Sequence, residues 1–287
     1  MATPTRAVSV VVDSTADVPR HLAEELELTV VPLLVRFGDQ TYRDGVDLDP
    51  DGFLRLLTSM PGLPQTSQPP STAFEQAFRK AVDAGHDVVC LTIASRLSGT
   101  YNSARLAAEA VDASRIRIID SGTLTMHLGW SAIAAARAAR DGAAADDVAS
   151  IALATLQRAR LYALLETLDY LYRGGRIGRA AQLVGSMLSI KPILTVQDGE
   201  VVPLERVRTW RKAIERLGEL TRQDAPLESL AIMHVGNPAA AQELADRLAD
   251  LLPSDRLLIT QAGPVIATYA GPGAVGAVPL LARSATP

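Results

Sequence analysis

At 287 residues, with 48% hydrophobic and 21% charged composition, the sequence has the make-up of an ordinary globular protein of one large or two modest domains. A formal net charge of -4 argues against the basic face of a phosphate-backbone binder, so nucleic acid is not an expected partner. Cys90, the single cysteine, lies inside the apolar run DVVCLTI, which excludes an intrachain disulfide framework and fits a reducing, cytoplasmic setting.

The N-terminal stretch MATPTRAVSVVVDSTAD holds an apolar run too short for a signal-peptide core. AVSVVVD predicts the first strand, LTVVPLLVRF the second, HDVVCLTI the third and IRIID the fourth, with helices after most of them. Between the second and third, FGDQTYRDGVDL reads as a hairpin-like excursion with Asp44-Gly45 at its turn. SMPGLPQTSQPPST, carrying Pro61, Pro64, Pro69 and Pro70, reads as a mostly extended loop. Ser71 or Thr72 is expected to cap the next helix, with Glu75 in capping-box range. The Ala-rich stretch WSAIAAARAARDGAAADDVASIALATL, interrupted by Arg137, Arg140 and Asp141, predicts two soluble helices joined at a Gly turn. No run approaches the roughly 18 apolar residues of a membrane span.

After residue 155 the pattern changes. LYALLETLDYLY leads to the Gly-rich joint RGGRIG, a short helix, and paired strands IKPILTV and EVVPLERV around Asp198-Gly199. A helix from Trp210, a strand LAIMHV, a helix from Pro238, a strand RLLIT and a Gly/Pro-rich tail follow. The expected architecture is two-domain α/β. Residues 1–155 form an N-terminal domain of mostly parallel sheet flanked by helices, and 156–287 a mixed α/β domain. The loop 60–70 reaches toward the second domain, and the last strand is free to return to the first.

Polar clusters fall where strands end, the place at which open α/β sheets collect ligands. Asp13, Ser14 and Thr15 close the first strand; Ser95, Ser98 and Thr100 the third; Asp120, Ser121 and Thr123 the fourth. Helix capping accounts for one such residue per joint. The joint SRLSGTYNSA is richer than a cap demands, and Ser98-Gly99-Thr100 at a helix start suits a carboxylate or phosphate oxygen. Ser98 lacks the flanking glycines of a hydrolase elbow, since Arg96 and Thr100 stand there. Thr66 and Ser67 sit in an extended segment where they are free to face a ligand, and YRGGRIG supplies Arg173 and Arg176 around a flexible turn. The tail TQAGPVIATYAGPGAVGA reads as punctuation, with sharp turns at Gly263-Pro264 and Gly271-Pro272, or as one wall of a cleft. His21, His86, His127 and His234 lack metal-ligand spacing. In ERVRTWRKAIER, Arg206, Arg208, Arg211, Lys212 and Arg216 mark a solvated helix face or, alternatively, a docking patch for an acidic partner.

The ordered set DSTAD, TSQPP, SRLSGTYNSA, DS, RGGRIG, KPIL, HVGN and GPVIATYAGPGAVG, from about residue 8 to 280, closely resembles the DegV family of bacterial fatty-acid-binding proteins. The resemblance implies a two-domain DegV-like α/β fold that holds one long-chain fatty acid in an aliphatic tunnel between the domains, its carboxylate at their interface. It implies a lipid carrier rather than an enzyme, which presents the carboxyl group to a separate ATP-dependent fatty acid kinase subunit for acyl-phosphate formation. The head-group contacts it implies fall on Thr66 and Ser98, with Arg176 as a nearby cation. Ser67, Gly99, Thr100, Thr268 and Tyr269 complete the expected binding set. Where the family usually carries histidine, this chain has Tyr269, which donates a hydrogen bond but carries no positive charge. A small-molecule hydrolase or phosphotransfer enzyme using Ser98 stays open as an alternative, as does an anion-sensing protein without lipid. No nucleotide-binding Gly-rich loop is visible, so no cofactor is expected, and a monomer is the default.

Overall fold

The computed structural model describes residues 6–283; the outermost residues of both expected domains, 1–5 and 284–287, lie outside the described residues. In chain order come β1 (Val8–Asp13), α1 (Arg20–Glu25), β2 (Thr29–Val31), β3 (Leu34–Phe37), β4 (Gln40–Arg43), α2 (Pro50–Ser59), β5 (Gln65–Ser67) and α3 (Ser71–Asp83). There follow β6 (Asp87–Thr92), α4 (Thr100–Val111), β7 (Ile116–Asp120), α5 (Thr125–Arg140), α6 (Ala145–Arg158), β8 (Tyr162–Leu164) and α7 (Asp169–Arg173). A 3-10 helix over Gly178–Ser189 leads to β9 (Lys191–Gln197), β10 (Glu200–Val207), α8 (Trp210–Gln223) and β11 (Leu227–His234). The chain ends with α9 (Pro238–Leu248), β12 (Leu257–Gln261), α10 (Pro264–Ala270) and β13 (Val275–Leu281). Among the described residues no helix is long and apolar enough to cross a membrane.

Contacts divide the chain into two compact units, Met1–Leu34 with Ser67–Gln157 and Val35–Thr66 with Arg158–Pro287. The stretch Val35–Thr66 groups with the second half of the chain, and from Ser67 to Gln157 the chain groups with the first unit again. The first unit carries a four-stranded parallel sheet in the order β2-β1-β6-β7. Its central strands VSVVVD and DVVCLT are apolar on both faces because both faces are covered. Val11, Val88 and Cys90 pack on one side with Phe74 and Phe78 of α3 and Ala104 of α4. α5 lies against β1 and β6. It approaches so closely that a Cβ on Gly129 would stand 2.6 Å from the Ala16 carbonyl oxygen.

The second unit holds a six-stranded mixed sheet, β10-β9-β8-β13-β11-β12, in which only the β11–β12 pair is parallel. Ile214 and Leu217 of α8 and Leu244 of α9 pack with Ile193, Leu230 and Ile232 of the sheet to form its core. β9 and β10 join through Asp198 and Gly199, both left-handed at φ 51° and 74°, as the Asp-Gly signal predicts. A small sheet, β4-β3-β5, falls in the second unit apart from Leu34 and Ser67.

Several sequence expectations are corrected. LTVVPLLVRF is two strands in two sheets: β2 ends before Pro32, which has no N–H for a ladder, and the next amide, Leu33, donates to Ser14 Oγ at 3.0 Å. The hairpin in FGDQTYRDGVDL turns at Gly38-Asp39, with Gly38 left-handed at φ 55°. Asp44-Gly45 opens the following turn, closed by Gly45 N to Leu48 O at 3.0 Å. Ser71 does not cap α3; Pro70 is the N-cap in an extended conformation without a side-chain bond, which puts Ser71 inside the first turn. The extended loop 60–70 contains β5. The Gly/Pro-rich tail is a helix and a strand. Pro264 sits in the first turn of α10, where its missing N–H is harmless, and β13 runs between β8 and β11.

Candidate functional site

The hydroxyls and carboxylates at the ends of β1 and β7 are bound up inside the first unit. Asp13 is fully buried: Oδ1 accepts from Thr15 N at 2.9 Å and Thr15 Oγ1 at 2.5 Å, and Oδ2 accepts from Ile93 N at 2.6 Å. The carboxylate thus ties the end of β1 to the residue after β6. Burial pushes its pKa up to about 6 against the opposing pull of these three donors. Asp120 Oδ1 accepts from Ser95 N at 3.0 Å and Gly122 N at 3.1 Å. Ser121 Oγ and Thr123 N–H close a turn at 3.2 Å, and Thr123 Oγ1 meets His127 Nδ1 at 3.0 Å. The other ring nitrogen of His127 lies 2.9 Å from the Leu156 carbonyl, which only accepts, so Nε2 carries the proton and Nδ1 accepts from Thr123.

The joint after β6 differs. α4 starts from Gly99 with no side-chain cap. Ser98 Oγ and Thr100 Oγ1 instead bond to each other at 2.8 Å, with Thr100 N reaching Ser98 Oγ at 3.4 Å. Two hydroxyls that share one hydrogen bond retain one proton for a further acceptor. Thr100 is buried, and Gly99 lies under Gln68, whose carboxamide carbon would stand 3.1 Å from a Cβ added there. Ser67 is exposed.

A second hydroxyl pair lies in the second unit. Thr66 Oγ1 on β5 and Tyr269 Oη on α10 are 2.5 Å apart. The guanidinium carbon of Arg176 stands 5.4 Å from the centroid of the Tyr269 ring, and Arg176 Nη1 donates to Gly174 O at 3.0 Å. Gly174 leaves room for that ring, since a Cβ there would fall 2.6 Å from Tyr269 Cε1. Opposite in sequence, Gly271 is left-handed at φ 76° and its missing Cβ makes way for the ring of Tyr170. The two glycine-bearing joints RGGRIG and AGPG therefore interlock through two tyrosines. Burial raises the pKa of Tyr170. Thr268 is buried and donates to the Pro264 carbonyl at 2.8 Å, so its one proton stays within its own helix.

His86 bonds Ser9 at 2.9 Å and His127 bonds Thr123 and Leu156, so neither ring is directed at Ser98. His234, at the end of β11, is only 9% exposed, and its Nδ1 has no partner among the described residues. Burial lowers its pKa while Asp51 opposes; Asp51 itself accepts from Gln261 Nε2 at 3.2 Å. No metal-holding group of histidine, cysteine and carboxylate side chains occurs among the described residues. Along ERVRTWRKAIER, Arg216 is forked onto Glu205 with Nη1 on Glu219, and Arg211 pairs with Glu215 at 3.4 Å.

A family model described as an uncharacterised protein of the DegV family matches residues 7–280. This chain belongs to the DegV family. A DegV domain-containing protein of Streptomyces coelicolor is 37% identical over 278 residues, covering 95% of this chain and 98% of that protein. Among solved structures, a DegV family protein from Thermus thermophilus, described by its fatty acid binding, superposes with a TM-score of 0.89 at 30% identity, covering 96% of this chain and 100% of that one. DegV of Bacillus subtilis, described as a fatty acid binding protein, gives 0.86 at 30% identity, with 97% and 100% covered. The DegV two-domain α/β fold expected from the sequence is the fold of this chain.

Of the residues singled out in advance, the structure pairs Ser98 with Thr100 and Thr66 with Tyr269, and sets Arg176 over Tyr269. Sequence reading missed Gln68, Tyr170 and Gly174. The doubled glycine of RGGRIG reads from sequence as a flexible turn, whereas in the fold Gly174 is a point of close approach by the Tyr269 ring.

Proposed function

We propose that this chain binds a long-chain fatty acid and acts as a carrier, presenting the carboxyl group to a separate ATP-dependent kinase subunit. The observation that carries the reading is likeness over nearly the full length, at a TM-score of 0.89, to a DegV protein described by its fatty acid binding. The chemistry of a carrier asks for two things. Each buried CH2 contributes about 0.8 kcal/mol, so an acyl chain needs an aliphatic lining. Its carboxylate needs donors, because an unpaired charge out of water forfeits that gain.

The residues proposed to meet the carboxylate are Thr66 and Ser98, with Ser67, Gly99, Thr100, Arg176 and Tyr269 around them. Both leading hydroxyls stand in pairs that retain a free proton, which supports this choice. Thr268, whose proton is held by Pro264, is a weaker member of the set. The test is solvent extraction of the purified chain followed by mass spectrometry. A long-chain fatty acid in near-equal amount to protein supports the reading; its absence from chain purified out of lipid-replete cells, together with no uptake of added acid, defeats it. Presentation to a kinase is tested separately, by ATP-dependent acyl-phosphate formation when a kinase subunit is added to the loaded chain.

A further inference from the structure

We propose that Tyr269 is a positioning residue that acts on the ligand through Thr66, by fixing the Thr66 hydroxyl proton outward as the donor to the carboxylate. The inference rests on the fatty-acid reading and refines the part of the site that lies in the second unit. Thr66 Oγ1 and Tyr269 Oη, 2.5 Å apart, share one proton, and either could be the donor. A phenolic O–H is the stronger donor of the two types and an aliphatic hydroxyl the better acceptor, so the shared proton comes from Tyr269. Thr66 then accepts from the phenol and has its own proton left to give.

Arg176 pushes in the same direction. A cation over an aromatic face draws on the ring's electron density. At 5.4 Å from the centroid, the guanidinium makes the phenol a better donor and a poorer acceptor. Hydrogen bonds in a chain polarise one another, so a Thr66 hydroxyl that accepts from Tyr269 donates more strongly to the next acceptor. The ring is also held in register: Gly174 leaves it room where a Cβ would stand 2.6 Å from Cε1, and the Gly174 carbonyl anchors Arg176 at 3.0 Å. Contacts from Thr66, Gly174 and Arg176 thus fix one tyrosine, whereas a residue that merely filled space would need no bond to Thr66.

The experiment titrates delipidated full-length chain with oleate, for the wild type, Thr66→Val, Tyr269→Phe and the double variant, with thermal unfolding recorded for each. Thr66→Val is expected to weaken binding about tenfold or more, the range of a hydrogen bond to a charged group. Tyr269→Phe is expected to weaken it about threefold, and the double variant no further than Thr66→Val alone, since without the Thr66 hydroxyl the phenol has nothing to orient. Should Tyr269→Phe fold poorly, Thr66→Ser serves in its place: it keeps a hydroxyl for the phenol to orient and is expected to retain most of the affinity that Thr66→Val loses. Independent, additive losses would mean that Tyr269 meets the ligand itself and would overturn the proposal, as would full affinity in Tyr269→Phe. Wild-type binding that Thr66→Val leaves untouched overturns it while the fatty-acid reading stands; no uptake by the wild type overturns both.

Discussion

Replacing Asp13 with asparagine isolates one buried ionisation. The side chain is fully buried, and burial raises its pKa from 3.8 to about 6 in the folded chain. A folded-state pKa above the unfolded value means that the folded chain holds this proton more tightly. The stability it contributes is complete below about pH 3.8 and is lost as the pH rises through about 6. The full span is about 3 kcal/mol, from about two pKa units at 1.36 kcal/mol each. Between pH 7.5 and pH 5 the linkage relation gives a gain of about 1.4 kcal/mol for the wild type from this group. The carboxamide of the variant cannot titrate, and its NH2 opposes at least one of the three donors that surround the carboxylate, at a cost of about 1–3 kcal/mol at either pH. Urea unfolding of both proteins, followed by circular dichroism at pH 5 and pH 7.5, measures the difference in which every other titration cancels. The wild type should exceed Asp13→Asn by about 1.4 kcal/mol more at pH 5 than at pH 7.5. A gap that is the same at both pH values, or narrower at pH 5, would show that the bonds from Thr15 and Ile93 outweigh burial, and would refute the reasoning.

Other expectations are simpler to state. Gly271→Ala places a methyl group against the Tyr170 ring at a left-handed φ of 76°, and should lower stability by about 2 kcal/mol or more, read as a lower urea midpoint. Ser98→Ala should weaken oleate binding by the delipidated chain about tenfold and also lower stability in urea unfolding by about 1 kcal/mol or more, because it leaves the buried Thr100 hydroxyl without its partner. Ser131→Ala, which removes the buried bond to the Ala152 carbonyl at 2.8 Å between α5 and α6, should cost about 1–3 kcal/mol in thermal or urea unfolding.

What could be read from the sequence was what local chemistry determines. The Asp198-Gly199 turn, the Gly142 break in the Ala-rich stretch and the doubly apolar strands β1 and β6 each carry their signal within a few residues. The misread elements were decided by distant partners. Whether Leu34–Phe37 continues β2 or begins another sheet depends on the pairing with β5, and the tail forms a central strand because β8 and β11 flank it, although Pro279 alone would argue against one. The site divides in the same way. Ser98 and Thr100 are two residues apart and their surplus of hydroxyls was visible, whereas Thr66 and Tyr269 are separated by 203 residues and nothing in either stretch names the other. The motif order supplied the family, and only the folded arrangement shows which hydroxyl faces which.

The central claim, that this chain holds a long-chain fatty acid, is tested most directly by calorimetric titration of the delipidated chain with oleate. Saturable uptake of one acid per chain, tight enough to persist through gel filtration, is the predicted result. Heats no larger than dilution, with the protein folded and no acid carried through the column, would contradict it.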